Sequence, residues 1–438
     1  MVESGSKNWM VLFWHRPRRL LLRKVIFYLH LVLGLSIGLL ASITCLTGSL
    51  IVYKPEIESL LLGAVSHVAP TTDRATVSLE AAYDAVRERN PGCKIVQAYL
   101  HAEPDLAWSF DLNCKPKGRV VAYVDKYRGG VTGEDHFQRK WTQWIYDLHV
   151  RLLSGATGET VNGIGALLLI ILASTGLVVW WPGVKHWRSG FRFEWRARWR
   201  RKNYDLHRLT GFFASLLLMF VAFTGAYFAF PKTYESVVAW AAHKPSVLPA
   251  PRTAIGTPHH ISLDAIYATA VRAMPAGETT LFTFPQQKNA PYSVRRMLPG
   301  DWRRTGDNLV YIDQYTGQVI RMNYHRELAW PIRLTRDISP LHFGTFGGNF
   351  TRILWIIAGI APAILYASGV LMWWNRSILP AVRRRRRQET EREEARATAL
   401  LGPLGVAEPA AQDHFDQQVV RSARDADADS KIELPFGR

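Results

Sequence analysis

Residues 25–53 read VIFYLHLVLGLSIGLLASITCLTGSLIVY, an apolar run without a formal charge and with one histidine, His30, near its start. About 20 helical residues suffice to cross a hydrocarbon core of roughly 30 Å. Three more runs have the same character, at about 161–181, 206–230 and 350–374. One such run is compatible with a buried core helix, but four together predict membrane spans. The first is too long for the core of a signal peptide and no lipobox precedes Cys45, so it reads as an uncleaved anchor.

The rest of the composition fits that reading. The chain has 438 residues, 48% of them hydrophobic, which excludes a mainly disordered protein, and only three cysteines, which excludes a disulfide framework. Its 54 Lys and Arg exceed its 36 Asp and Glu by a formal +18. Residues 1–24, 182–203 and 376–387 contribute +5, +7 and +6, which is the whole excess, whereas 54–140 sums to zero. Basic residues gather on the cytoplasmic side of a membrane. Both termini and the 182–203 loop are therefore expected in the cytoplasm, with the connections 54–140 and 231–341 outside. Trp180–Trp181 and Trp373–Trp374 read as interfacial anchors. The basic runs 196–202 and 383–387 need no nucleic acid to explain them, and contact with membrane lipid suffices. From Gln388 onward the sequence lacks apolar periodicity and is expected to be disordered or loosely helical.

The chain also repeats itself. Val77-Ser-Leu-Glu-Ala-Ala-Tyr matches Ile261-Ser-Leu-Asp-Ala-Ile-Tyr, and Tyr123-Val-Asp-Lys-Tyr-Arg-Gly-Gly-Val matches Tyr311-Ile-Asp-Gln-Tyr-Thr-Gly-Gln-Val. Each outer segment opens with a Ser-capped helix signal and closes with a hairpin signal, so two α+β modules are predicted. In the spans, His30 is followed by Gly34, Thr47 and Gly48, and His207 at the same offsets by Gly211, Thr224 and Gly225. His149 precedes Gly176 by 27 residues, as His342 precedes Gly369. The expected fold is an integral membrane α-helical bundle of four transmembrane helices with two periplasmic α+β modules. It is duplicated about a pseudo-twofold axis along the membrane normal. The segments are a cytoplasmic N-terminus (1–24), a first span (25–53), a first module (54–140), a lead-in helix with the second span (141–181) and a basic loop (182–203). A third span (204–230), a second module (231–341), a fourth span with its lead-in (342–375) and a tail (376–438) complete the chain.

The duplication gives the histidines their meaning. His30 and His207 lie five or six residues past the last cytoplasmic Lys, near the inner face, and His149 and His342 lie near the outer face. The twofold axis can bring each equivalent pair together. Two facing imidazoles inside a helix bundle are what six-coordinate haem iron requires, and small residues such as Gly34, Gly155 and Gly211 let a flat ring approach. Without a Cys-x-x-Cys-His motif the haem would be b-type. A lone histidine at an interface is ordinarily a snorkelling or hydrogen-bonded residue. Four in matched pairs point to ligation instead, and two lone histidines are too few ligands for zinc or copper. The other histidines, among them His15, His67, His101, His136, His186 and the pair His259–His260, have no repeat equivalent, and that pair reads as a helix cap. Arg151 and Arg208 follow candidate ligands closely and fit either haem propionates or lipid phosphates. Cys93 and Cys114 share the first module and an oxidising compartment, so a disulfide is expected; Cys45 reads as a small buried apolar residue.

Taken together, the four-span plan, the two modules, the Leu-His openings, the Thr-Gly pairs and the Trp-Trp-Pro-Gly at 180–183 resemble the PepSY-associated transmembrane family. Its members include inner-membrane ferrisiderophore reductases of Gram-negative bacteria. The resemblance spans about residues 20–377. It implies two PepSY-like modules and a di-haem b oxidoreductase of the bacterial inner membrane that passes electrons outward to reduce Fe(III) held by a siderophore, releasing Fe(II). His30 and His207 would hold the inner haem, and His149 and His342 the outer one. No nucleotide-binding glycine motif is present, so a separate donor, a cytoplasmic flavoprotein or a membrane quinol, is implied. No acid–base constellation stands out. The alternative is a membrane-anchored PepSY sensor or regulator that binds a peptide or protease outside, which would have no need of matched histidines. A transporter would need broken helices or paired charges at the midplane, and the spans have neither.

Overall fold

The computed structural model describes Trp14 and residues 21–71, 75–116, 118–136, 140–256, 261–303 and 305–401. His15, His259–His260 and the tail beyond 401 fall outside the described residues. Among the described residues, four helices are long and apolar enough to cross a membrane. They are α1 (Leu21–Ile51), α5 (Gly155–Trp180), α6 (Trp199–Ala229) and α10 (Gly348–Trp373), the last carrying Pro362 without interruption. At 1.5 Å per residue, the 31 residues of α1 extend about 46 Å. The helices start earlier than the apolar runs do. The polar 155–162 stretch forms the first two turns of α5, and the basic 199–203 stretch opens α6.

The chain divides into two compact units, one of residues 1–35, 175–210 and 367–438, the other of residues 36–174 and 211–366. The first contains end segments of the four long helices, a 3₁₀ segment at Val184–Phe191 and a further helix at Leu379–Leu401. That last helix occupies sequence for which disorder or loose helix is expected. It has no buried face; it is Ala-, Glu- and Arg-rich, and pairs such as Arg387–Glu391 (2.7 Å, one turn apart) support it.

The second unit carries the strands. Its shorter helices are α2 (Lys54–Leu62), α3 (Leu79–Arg89), α4 (Trp141–Arg151), α7 (Pro231–Ala242), α8 (Leu263–Ala273) and α9 (Trp330–Phe343). Its strands are β1 (Lys94–Tyr99), β2 (Trp108–Cys114), β3 (Gly118–Val124), β4 (Val131–His136), β5 (Glu278–Thr283), β6 (Tyr292–Met297), β7 (Asn308–Ile312) and β8 (Val319–Asn323). Two separate modules are the expectation; the structure joins them. Each contributes four antiparallel strands, and β1 pairs with β5 to give one eight-stranded sheet in the order β4-β3-β2-β1-β5-β6-β7-β8. Without that pairing, each module would expose a strand edge of unsatisfied N–H and C=O groups.

Alternation along the strands gives the sheet two faces. Phe110, Ala122, Phe282, Val294 and Val310 point to one and pack with Val86 of α3 and Ile266 of α8 in a single hydrophobic core. Gln97, Tyr99, Asp111, Arg119, Tyr123 and Asp135 belong to the other. The hairpins close alike: Asp125 Oδ1 accepts from the Tyr127 and Arg128 amides, and Asp313 Oδ1 from those of Tyr315 and Thr316. Gly129 and Gly317, at φ of +77° and +68°, complete these turns in the left-handed region. A disulfide joins Cys93 to Cys114.

Helices α3 and α8 cap each other. Ser78 and Ser262 each accept from the amide three residues on. The carboxylate of Asp264 also accepts from the Leu79 amide (2.8 Å), and that of Glu80 accepts from the Leu263 amide. Asp264→Ala orphans an amide of α3 and is expected to lower stability by about 1 kcal/mol, within the usual range for a lost cap. An unchanged thermal midpoint in detergent would show the cross-caps to be dispensable.

Candidate functional site

In each unit, two of the four singled-out histidines face each other. His30 of α1 and His207 of α6 have ring centres 6.4 Å apart, and His149 of α4 and His342 of α9 are 6.3 Å apart. Two imidazoles bound through Nε2 to opposite sides of one metal, with bonds of about 2.0–2.1 Å, have ring centres roughly 6.3 Å apart.

The other ring nitrogen has its own partner in every case. His149 Nδ1 donates to the Thr44 carbonyl (2.8 Å). His342 Nδ1 lies 3.1 Å from Thr224 Oγ1, whose own proton goes to the Phe220 or Val221 carbonyl. These two bonds fix the tautomer with the proton on Nδ1 and the lone pair on Nε2. His30 Nδ1 lies 3.2 Å from Thr175 Oγ1, and His207 Nδ1 lies 2.9 Å from Ser368 Oγ. Such a second bond orients a ligating imidazole and raises its basicity.

Glycines make room for the rings. A Cβ at Gly48 would lie 2.8 Å from His149 Cε1, and one at Gly225 would lie 3.0 Å from His342 Cε1. At Gly176 and Gly369 the corresponding distances are 3.0 Å from His30 Cε1 and 3.4 Å from His207 Cε1. Gly48 and Gly225 are repeat-matched, as are Gly176 and Gly369. Ring spacing, Nδ1 partners and cleared glycines thus meet what an iron macrocycle with two axial imidazoles requires, and haem is the cofactor that fits.

The second unit's pair is half-buried, on helices outside the four spans. Burial pushes the His149 ring below the ordinary histidine range, with the Thr44 bond opposing. His342 is pushed down to about 3 by burial and then by His149 beside it. Both are held neutral, the form that ligates. Asn162 of α5 fixes the end of α4, donating to the His149 carbonyl (2.6 Å) and accepting from Thr44 Oγ1 (3.0 Å). A cavity of about 1410 Å³ borders this pair and reaches the face of β1–β4 that carries Tyr99, Asp111 and Tyr123.

Both arginines considered for propionates are engaged by carboxylates. Arg151 pairs with Asp147 (3.2 Å) and Glu159 (3.4 Å). Arg208 pairs with the fully buried Asp205 (2.9 Å), which also holds Arg201 (3.1 Å). Asp205, Thr44, Thr175, Ser368 and Asn162 are the site residues missed in the sequence. Asp307, His325 and Asp337 form another cluster, their ligand atoms within 4.8 Å of one another. Burial raises both carboxyls, and Arg303, Arg295 and Arg336 act on Asp307, with Arg303 only 2.9 Å from it. These guanidinium groups already supply the positive charge, making the cluster an internal ion-pair network.

Residues 27–376 match the family described as the PepSY-associated TM region. No curated protein matches the chain.

Proposed function

The chain belongs to the PepSY-associated transmembrane family and is a multi-pass membrane protein, and from that premise we propose that it is a di-haem b oxidoreductase carrying electrons across the bacterial inner membrane to a periplasmic ferric siderophore. In this reading its termini are cytoplasmic, its sheet is periplasmic, and its halves descend from one duplicated unit around a pseudo-twofold axis. The single observation that carries the proposal is the pair of histidine pairs at 6.4 and 6.3 Å, each ring resting on a glycine.

His30 and His207 would hold one haem and His149 and His342 the other, through Nε2 in each case. When bound, the haems supply one-electron exchange between ferrous and ferric iron. The protein's own residues do the rest. Thr44, Thr175, Thr224 and Ser368 hold the imidazoles in orientation through Nδ1. Burial keeps His149 and His342 neutral. The sheet face over the second pair borders the space in which an acceptor can be held. The acceptor's Fe(III) takes up one electron and becomes Fe(II), which the oxygen ligands of a siderophore hold more weakly and release. The electron comes from a separate flavoprotein or quinol.

The test is an anaerobic titration of the purified, dithionite-reduced protein with a ferric tris-hydroxamate. The reduced haem bands should disappear as one Fe(II) per haem is trapped by a chromogenic Fe(II) chelator. Bands that stay reduced would overturn the reductase reading.

A further inference from the structure

The two histidine pairs agree in spacing but not in orientation. The ring planes of His30 and His207 stand at 84° to each other, whereas those of His149 and His342 stand at 35°. A ring that binds a metal through Nε2 can still turn about the bond. What fixes the turn is the partner of Nδ1.

Those partners lie in different directions in the two units. In the second unit they are reached along a helix. The Thr44 carbonyl comes four residues, about one turn, before the ring's seat at Gly48, and helix carbonyls point along the axis toward the C-terminus. The Val221 carbonyl stands in the same relation to Gly225, and His342 bonds to it while lying beside Thr224 Oγ1. Both Nδ1 atoms are thus drawn along the helix, and the rings come toward parallel.

In the first unit the partner is a side chain beside the seat. Thr175 and Ser368 directly precede Gly176 and Gly369, so their hydroxyls start about 100° round the helix and only about 1.5 Å along it. Each Nδ1 is drawn sideways, off the helix axis. Two rings related by the proposed twofold lean in opposite senses, so their planes differ by twice the lean. A sideways pull therefore crosses the rings.

The angle matters to low-spin ferric iron. Each imidazole donates π density into the iron d orbital perpendicular to its own plane. Near-parallel rings act on one orbital and split it from its partner, whereas crossed rings raise both alike and leave them nearly equal. Splitting stabilises the ferric state, which carries the vacancy in that orbital pair, and so lowers the potential. Hydrogen bonds from the ligating rings to carbonyls raise ligand basicity and push in the same direction.

We infer, on the di-haem reading, that the Nδ1 partners set the ring planes and make the two haems electronically unlike. Thr175 and Ser368 are positioning residues for the crossed pair, and the carbonyls of Thr44 and Val221 position the near-parallel one. The crossed pair holds the haem that is reduced first, and the near-parallel pair the haem that is reduced last.

Electron paramagnetic resonance of the oxidised, haem-loaded protein near liquid-helium temperature tests this without turnover. Two low-spin ferric signals of equal integrated intensity are expected. One is strongly anisotropic, seen as a single low-field line, and the other is rhombic with three resolved lines. His30→Ala should remove the first and His342→Ala the second. Thr175→Val should move the low-field line toward the rhombic range with the haem retained, and Thr175→Ser should leave it in place. If Thr175→Val loses its haem, Ser368→Ala is read in the same way. During stepwise reduction with dithionite the anisotropic signal should fade before the rhombic one. Two signals of one type, the opposite assignment in the histidine variants, an unmoved line in a haem-retaining Thr175→Val or Ser368→Ala protein, or the reverse order of reduction would overturn the inference with both haems bound. A protein without haem would instead overturn the di-haem reading itself.

Discussion

Replacing His342 with Ala should remove one haem and leave the other. The Soret absorbance per chain should fall by about half and electron delivery to ferric chelates should cease. His342 faces His149 at 6.3 Å, both rings half-buried and held neutral by desolvation, and its loss would leave a haem with one protein ligand there and an imidazole-sized void. His30→Ala should do the same to the pair in the other unit, where His207 lies 6.4 Å away. Because each pair is held by its own set of Nδ1 partners, the two losses should be independent and the double variant should retain no haem. Thr224→Val removes the hydroxyl beside His342 Nδ1 without changing side-chain volume much. It should weaken haem retention by roughly 10–100-fold, the range for lost partners of metal ligands. Haem content measured on each purified variant decides. A His342→Ala protein with two haems would mean that the pair is not ligating.

The four glycines yield the second large effect, because their clearances differ. An alanine at Gly48 would put Cβ 2.8 Å from the His149 ring, at Gly225 and Gly176 3.0 Å from His342 and His30, and at Gly369 3.4 Å from His207. All four sit inside helices, where alanine is the better residue by up to about 1 kcal/mol, so the backbone gains while the ring is displaced. Overpacking of this kind costs about 1–3 kcal/mol, which corresponds to haem retention weakened by roughly 5–150-fold. Gly48→Ala should be the most damaging and Gly369→Ala close to neutral. Haem-transfer rates to an apo-protein acceptor rank the series, and a ranking unrelated to these distances would show that the glycines do not form the ring seats.

Much of this arrangement was readable from intervals alone. The offsets shared by His30 with His207, and by His149 with His342, single out the same four rings that the structure brings into two pairs. Thr175–Gly176 and Ser368–Gly369 stand at equal distances after His149 and His342. The glycines were visible there, but the hydroxyl before each passed unnoticed because its role is to bond a histidine from the preceding span. Thr44 acts through its backbone carbonyl, which has no residue signature at all. The merging of two modules into one sheet depends on β1 meeting β5 across about 180 residues of sequence, and local pattern carries no record of such an edge. The helix at Leu379–Leu401 is one of the two states, disorder or loose helix, that the sequence leaves open, because a search for an apolar stripe finds buried faces, whereas this helix has Arg–Glu pairs and no buried face.

The most direct measurement is the number of b-type haems per chain, from the pyridine haemochrome spectrum of protein purified after haem-sufficient expression, set against its amino-acid content. Two per chain, each reducible by dithionite, is the predicted result. A preparation with no Soret band would contradict it and leave the matched histidines as structural residues of a membrane-anchored binding protein.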